Sequence, residues 1–154
     1  MNATGSRRLL DDERGFTLVE LMVVVLIIGV LIAIALPTFL GARKRAADRA
    51  AQSDLRTGLA AGLTYYAEYA DWTNFDDVVA EGAEPSLQWQ DGGVPPTGTI
   101  SIEIHSGQNL LLVRESLSGA FFCVAQIATN PATARGGGAT FADVDTIAEC
   151  DTGW

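Results

Sequence analysis

Basic residues are scarce over most of this chain: of its ten Lys and Arg, only Arg114 and Arg135 lie beyond residue 56. Against them stand nineteen Asp and Glu, giving a formal net charge of -9 and a sequence pI of about 4.4. That balance excludes nucleic-acid binding by bulk charge, because such binding works by neutralising phosphates with Lys and Arg. Histidine is nearly missing. His105 is the only one, so any His-based triad has to use it, and its place before Ser106 and Gly107 points instead to a turn-flanking surface residue. Gly136, Gly137 and Gly138 are not followed by Lys and Ser/Thr, which excludes a phosphate-cradling loop and predicts a flexible hairpin or loop. Cysteine is limited to Cys123 and Cys150. The length of 154 residues favours one domain, or one domain plus an appendage, over a multidomain enzyme.

What the chain does have is one long apolar block, Phe16 to Leu36, reading FTLVELMVVVLIIGVLIAIAL. As a helix its length is about 30 Å at the usual rise per residue, enough to cross a hydrocarbon core. Its single charge is Glu20. The residues after Leu36 are ordinary in hydrophobicity and rich in Gly, Thr, Ala and Asp, which predicts a soluble head on an apolar stalk. Three readings of the N-terminus compete. A secretory signal peptide fits Arg7, Arg8 and Arg14 before the apolar block and a small-residue site at Ala33 and Ala35, but Asp11, Asp12 and Glu13 leave its basic region without net charge. A plain single-span anchor leaves Glu20 unexplained, since a carboxylate at mid-bilayer costs about 2.5 to 3.5 kcal/mol and marks a function. The third reading has to account for the carboxylate and for its position.

Arg14, Gly15, Phe16, Thr17, Leu18, Val19, Glu20 and Leu21, followed by an apolar run that contains Gly29 and ends at Pro37, resemble the N-terminus of type IV prepilins. The resemblance is close over about Arg14 to Phe39 and loose over a long helix and a Cys-containing head. It implies that a prepilin peptidase on the cytoplasmic side cuts between Gly15 and Phe16 and methylates the new Phe16 amine. It further implies a structural subunit, not an enzyme, with no cofactor. The subunit would sit in the cytoplasmic membrane as a single-pass protein with its head outside, then be polymerised by an inner-membrane assembly platform with other copies or related pilins into an extracellular type IV pilus. A pseudopilin of a type II secretion or competence system, forming a periplasmic or wall-spanning pseudopilus, shares the same N-terminal pattern and is the close alternative. A reading of a different class is an exported soluble binding protein or small enzyme with its signal cleaved at Ala35.

The chemistry of Phe16 and Glu20 can be argued directly. A cut after Gly15 places a fresh ammonium on Phe16, four residues before Glu20. Where apolar helices pack away from water, that ammonium and the Glu20 carboxylate of a neighbouring subunit each neutralise a charge the other cannot bury alone. Gly15 suits a peptidase that needs close backbone approach. Pro37 deletes a helical hydrogen bond and is expected to bend or loosen the helix, and the resemblance implies that the stretch from Gly29 to Pro37 loses some helicity in an assembled fibre. Beyond it, Ala47, Ala51, Leu55, Leu59, Leu63 and Tyr66 recur at helical spacing. The expected layout is a leader at 1–15, a transmembrane or filament-core helix at 16–37 and an amphipathic continuation at 38–70. One observation opposes an outside head: the leader offers three Lys or Arg and the segment 43–56 offers five, which by the positive-inside rule favours a cytoplasmic head. The basic cluster is instead expected to pair with acidic groups, Lys44 with Asp48 among them, or with heads of neighbouring subunits.

The head is expected to be α+β: an antiparallel sheet packed on the amphipathic half of the helix, the architecture the resemblance implies. Residues 71–97 read as a connecting loop with a short capped helical turn, and 98–154 as the sheet head. Ile100, Ile102 and Ile104 alternate, then Leu110 and Leu112, then a third run at Phe121 to Ile127, with a fourth strand expected near 140–148. Tyr65, Tyr66, Tyr69 and Trp72 form an aromatic stripe expected to enter the core. In an extracytoplasmic head, Cys123 and Cys150 are expected to form a disulfide closing a C-terminal loop, with two reduced thiols as the alternative if the head is cytoplasmic. Asp143, Asp145 and Asp151, with Glu149, are weak candidates for calcium, and a solvated acidic face is favoured over a metal site.

Overall fold

The computed structural model describes residues 15–127 and 132–154, with the side chains of Ile104, His105, Ser106 and Ala132 outside that description. The expected leader therefore lies outside the described residues apart from Gly15, as does the His105 side chain. The chain divides into two units, Met1–Leu40 and Gly41–Trp154.

Helix α1 (Leu18–Tyr69) runs through both, with Pro37 inside it. Its early part is rich in Val and Ile, which lower helix propensity in water. In an apolar medium the backbone has no partner but itself, and helix is then the conformation a single segment can adopt. Within the first unit the apolar side chains from Leu18 to Leu40 are exposed, Phe16 before them most of all. Among the described residues α1 is the helix long and apolar enough, by length and composition, to cross a membrane. It ends where Ala70 takes a left-handed backbone, φ 54°, while its N–H still reaches the Tyr66 carbonyl at 2.7 Å.

In the second unit, α1 from Gly41 onward is followed by α2 (Asp77–Ala83) and five strands: β1 (Gln88–Asp91), β2 (Thr99–Ser106), β3 (Asn109–Glu115), β4 (Phe121–Ile127) and β5 (Ala132–Gly138). The strands lie in sequence order in one sheet. β1 pairs with β2 in parallel and the remaining pairs are antiparallel. The α+β class is as the sequence predicts, with one parallel pair that alternation alone does not reveal.

Both faces of the sheet are covered. Ile100, Ile102, Leu110, Leu112 and Val124 pack with Leu55 and Leu59 of α1 and with Trp72 and Phe75. Leu111, Val113, Cys123 and Ala125 point the other way and pack with Val144 and Cys150 of the terminal segment. This explains why β3 reads LLLV without polar alternation: it is buried on both sides.

The buried face of α1 is Ala51, Leu55, Gly58, Leu59 and Gly62, whereas Leu63 is 40% exposed. The sequence stripe is thus displaced toward two glycines, which carry no hydropathy signal. They are needed for close approach: a Cβ on Gly58 would stand 2.9 Å from the Trp89 ring, and one on Gly62 would stand 3.1 Å from the Trp72 ring. Within the stretch expected as a connecting loop, α2 is capped by Asp76, whose Oδ1 accepts from the Val79 N–H at 2.8 Å, and β1 follows it. The strand expected near 140–148 is replaced by a 3-10 turn, Phe141–Asp143. The glycines expected as a loop, Gly136 to Gly138, instead form the end of β5.

Polar contacts tie α1 to the sheet. Asp48 accepts hydrogen bonds from the Ser116 and Ser118 hydroxyls, in place of the pairing with Lys44 expected from helical spacing. Arg114 of β3 pairs with Asp54 at 2.7 Å. Burial lowers the pKa of that guanidinium and Asp54 opposes the shift.

Candidate functional site

The site begins at residues 15–17, just before α1. Gly15 has open space around its α-carbon, and Phe16 is 82% exposed. Gly15, Phe16 and Thr17 precede the first turn of α1, so the Gly15–Phe16 bond is presented in non-helical backbone.

Thr17 and Glu20 then form a reciprocal cap. Glu20 Oε2 accepts from the Thr17 N–H at 2.9 Å and from the Thr17 hydroxyl at 2.7 Å, while Thr17 Oγ1 accepts from the Glu20 N–H at 3.2 Å. The first turn is closed by the Leu21 N–H on the Thr17 carbonyl at 3.2 Å. A Thr three residues before a Glu is the capping-box spacing, and it satisfies N–H groups that the start of a helix leaves unpaired. The cap also places a carboxylate at the positive end of the helix dipole. The sequence carried this signal in Thr17-x-x-Glu20, yet charge reasoning used only the Glu. The chemical consequence is that Glu20 has a local role in the single chain.

Gly29 has open space around it, and Pro37 stands within α1 and cannot donate to a preceding carbonyl.

In the second unit, Cys123 and Cys150 are joined by a disulfide, with their α-carbons 5.9 Å apart. Both are fully buried on the sheet face that the terminal segment covers. From Cys150 the chain turns around the β5 edge: Thr152 Oγ1 accepts from the Gly137 N–H at 3.0 Å, and the Gly153 N–H donates to the Arg135 carbonyl at 2.8 Å. Trp154 ends on the other face, its indole N–H on the Cys123 carbonyl at 3.0 Å. The tail thereby covers an edge that would otherwise present unpaired backbone groups.

The calcium candidates are scattered. Asp143 accepts from the Thr140 N–H at 2.8 Å, and that bond holds its pKa below the ordinary carboxylate value. Glu149 accepts from the Thr146 hydroxyl at 2.7 Å. Among the described residues no three His, Cys, Asp or Glu side chains, Asp145 and Asp151 included, are grouped to hold a metal ion. The aromatic stripe enters the core in part: Tyr66 stacks on Trp72 and Tyr65 lies 5.3 Å from Phe75, but Tyr69 is 57% exposed.

Comparison with known proteins finds the prokaryotic N-terminal methylation motif at residues 10–36. The chain is 42% identical over 65 residues to the type IV major pilin protein PilA of Myxococcus xanthus, covering 40% of this chain and 30% of that protein. It is 46% identical over 48 residues to the type II secretion system core protein G of Escherichia coli, covering 31% and 33% respectively. It is 51% identical over 37 residues to the type IV wide pilus major component PilA4 of Thermus thermophilus, covering 24% and 28%. The matches span about a third or less of the length of these relatives. No solved structure matches the chain. The chain is therefore pilin-like in sequence and carries the prokaryotic N-terminal methylation motif at residues 10–36.

Proposed function

We propose that this protein is a structural subunit of a type IV pilus: a precursor cut between Gly15 and Phe16 by a prepilin peptidase, methylated on Phe16, and polymerised from the membrane into a filament with other copies of itself or related pilins. The observation that carries the reading is the Thr17–Glu20 cap standing directly after an exposed Gly15–Phe16 bond and directly before an uncovered apolar helix, all within the methylation motif. An apolar surface of that length is stable in a bilayer and, after extraction, only against other apolar helices. Glu20 then supplies the charge that the Phe16 ammonium of a neighbour requires, fixing register more than adding stability. Gly29 and Pro37 let the packed helix bend or loosen, and the disulfide holds the terminal segment against the sheet outside the cell. An inner-membrane assembly platform and the bilayer are the further partners of this cycle.

The similarity to a type II secretion core protein supports a second reading, a pseudopilin using the same processing and packing in a shorter assembly. Mass spectrometry of the N-terminal peptide from envelope and sheared surface material tests the first step. A methylated Phe16 is the expected result, and its presence in sheared fibres favours a pilus over a pseudopilus. A start at Leu36 means signal-peptidase export of a soluble protein and overturns the filament reading. An intact Met1 throughout leaves a plain anchor and overturns it as well.

A further inference from the structure

The two edges of the sheet present side chains of opposite charge. The strand order places β1 and β5 at opposite edges. At the β5 edge the Arg56 and Arg135 guanidinium carbons stand 4.9 Å and 5.4 Å from the centre of the Trp154 ring. Both arginines are exposed, and among the described residues neither is in an ion pair. Each contact with the ring is worth about 0.5 to 1 kcal/mol at such exposure, and the ring leaves the N–H donors of both groups unspent. Two like charges held on one aromatic ring favour an anion beside them. Among the acids of the terminal segment, which also holds Asp145 and Asp151, Asp143 and Glu149 bond to Thr140 and Thr146 of that segment.

At the β1 edge the reverse holds. The Asp77 N–H donates to Asp91 Oδ1 at 3.2 Å, which brings two carboxylate-bearing residues together beside the Asp76 cap. No Lys or Arg occurs between residues 57 and 113 to neutralise them. The carboxyl pKa of Asp91 is raised, by burial first and by the Asp77 charge second. Beside them Val78 is 72% exposed.

We propose that these two edges are the halves of one contact between copies of this chain, in which Asp77 and Asp91 of one copy seat against Arg56 and Arg135 of the next. The inference rests on the filament reading and names the head surfaces that would meet within it. Unlike surfaces on opposite edges make a heterologous contact, and a heterologous contact that does not close on itself propagates as a helical fibre. Carboxylates suit the forked donors of arginine, and Val78 offers apolar surface for the Trp154 ring. Because the charges are exposed, the contact weakens as salt screens it.

Charge reversal in the full-length protein, expressed in cells that assemble it, tests this. Arg135→Glu and Asp91→Arg, singly, are expected to lower sheared filament yield by about tenfold, since each sets like charges against each other. The double variant is expected to recover most of the wild-type yield. Phe16 methylation and closure of the Cys123–Cys150 disulfide, read on the same material, report insertion and folding separately. If a reversal variant does not close the disulfide, Arg135→Gln and Asp91→Asn replace the pair. They are expected to show a smaller loss, and wild-type fibres are expected to dissociate faster at high salt. Wild-type yield from folded Arg135 and Asp91 variants, or a double variant no better than either single, overturns the edge contact alone. Absence of any polymer from the methylated wild-type chain overturns the filament reading and this contact with it.

Discussion

Gly136→Ala puts a methyl group where the structure leaves room only for a hydrogen. The new Cβ would lie 2.8 Å from the Cys150 α-carbon, 3.0 Å from Cys123 Sγ and 3.1 Å from the Cys150 carbonyl carbon. Carbon pairs settle at about 3.5 to 4.0 Å, so the backbone at Cys150 has to retreat by about 0.5 Å or more. It is poorly placed to do so: the disulfide holds it to β4, its N–H reaches the Thr146 carbonyl at 3.1 Å, and the Gly153 N–H holds the next turn to Arg135. Overpacking of this kind costs about 1 to 3 kcal/mol. Without the disulfide the terminal segment can move away, and replacing glycine in a strand then gains about 0.5 to 1 kcal/mol. The disulfide itself, with its partners 27 residues apart, contributes about 3.6 kcal/mol on the chain-entropy estimate. Four full-length proteins in detergent decide the matter: wild type, Gly136→Ala, Cys123→Ala/Cys150→Ala, and the triple variant. Each is unfolded with guanidinium and followed by tryptophan fluorescence. The expected result is a loss for Gly136→Ala in the disulfide-bonded chain and little loss or a small gain in the cysteine-free chain. An equal cost in both backgrounds, or none in the bonded one, refutes the steric account.

Asp91 gives a pH signature. Its folded pKa is raised by burial and by Asp77, so its ionisation weakens the fold; the cost is absent at low pH and grows as pH rises through the carboxylate range. Asp91→Asn, which keeps the acceptor for the Asp77 N–H, is therefore expected to raise the melting temperature near pH 7 and to leave it little changed near pH 3; the opposite order would contradict this. Glu20→Ala is expected to leave membrane insertion and the Gly15–Phe16 cut intact while filament yield in sheared material falls by about tenfold or more, as befits an unpaired buried ammonium, and normal yield would remove the role assigned to the carboxylate. Gly15→Val is expected to leave the leader attached, seen as a heavier band on immunoblots and an unmethylated N-terminus, because a β-branched side chain blocks close approach at the cut. Processing of that variant at the wild-type rate would point to a different protease.

Much of the architecture was legible because it is written in side-chain hydrophobicity. The apolar block, the helical spacing from Ala51 to Leu59 and the alternation of Ile100 and Ile102 each announce an element by its period. Features that depend on an absent side chain were not legible. Gly58 and Gly62 are the contact points of helix and sheet, and Gly136 is the gap into which Cys150 fits, but a glycine offers no hydropathy to read. β1 was missed for a related reason, and α2 was foreseen only as a short helical turn within a loop. Each is short, and β1, reading QWQD, gains its place from parallel pairing with β2 rather than from its own composition.

The sequence by itself determined the apolar helical segment, its single carboxylate four residues beyond Phe16, the acidic balance of the residues after 56 and the α+β class, since these follow from local composition, period and charge. The tertiary structure decided the burial of both sheet faces, the wrapping of the tail around β5 and the separation of Arg56 and Arg135 from Asp77 and Asp91 on opposite edges. Those are relations between residues distant along the chain or between atoms of particular geometry. They are fixed only when strand order and close packing bring the partners together.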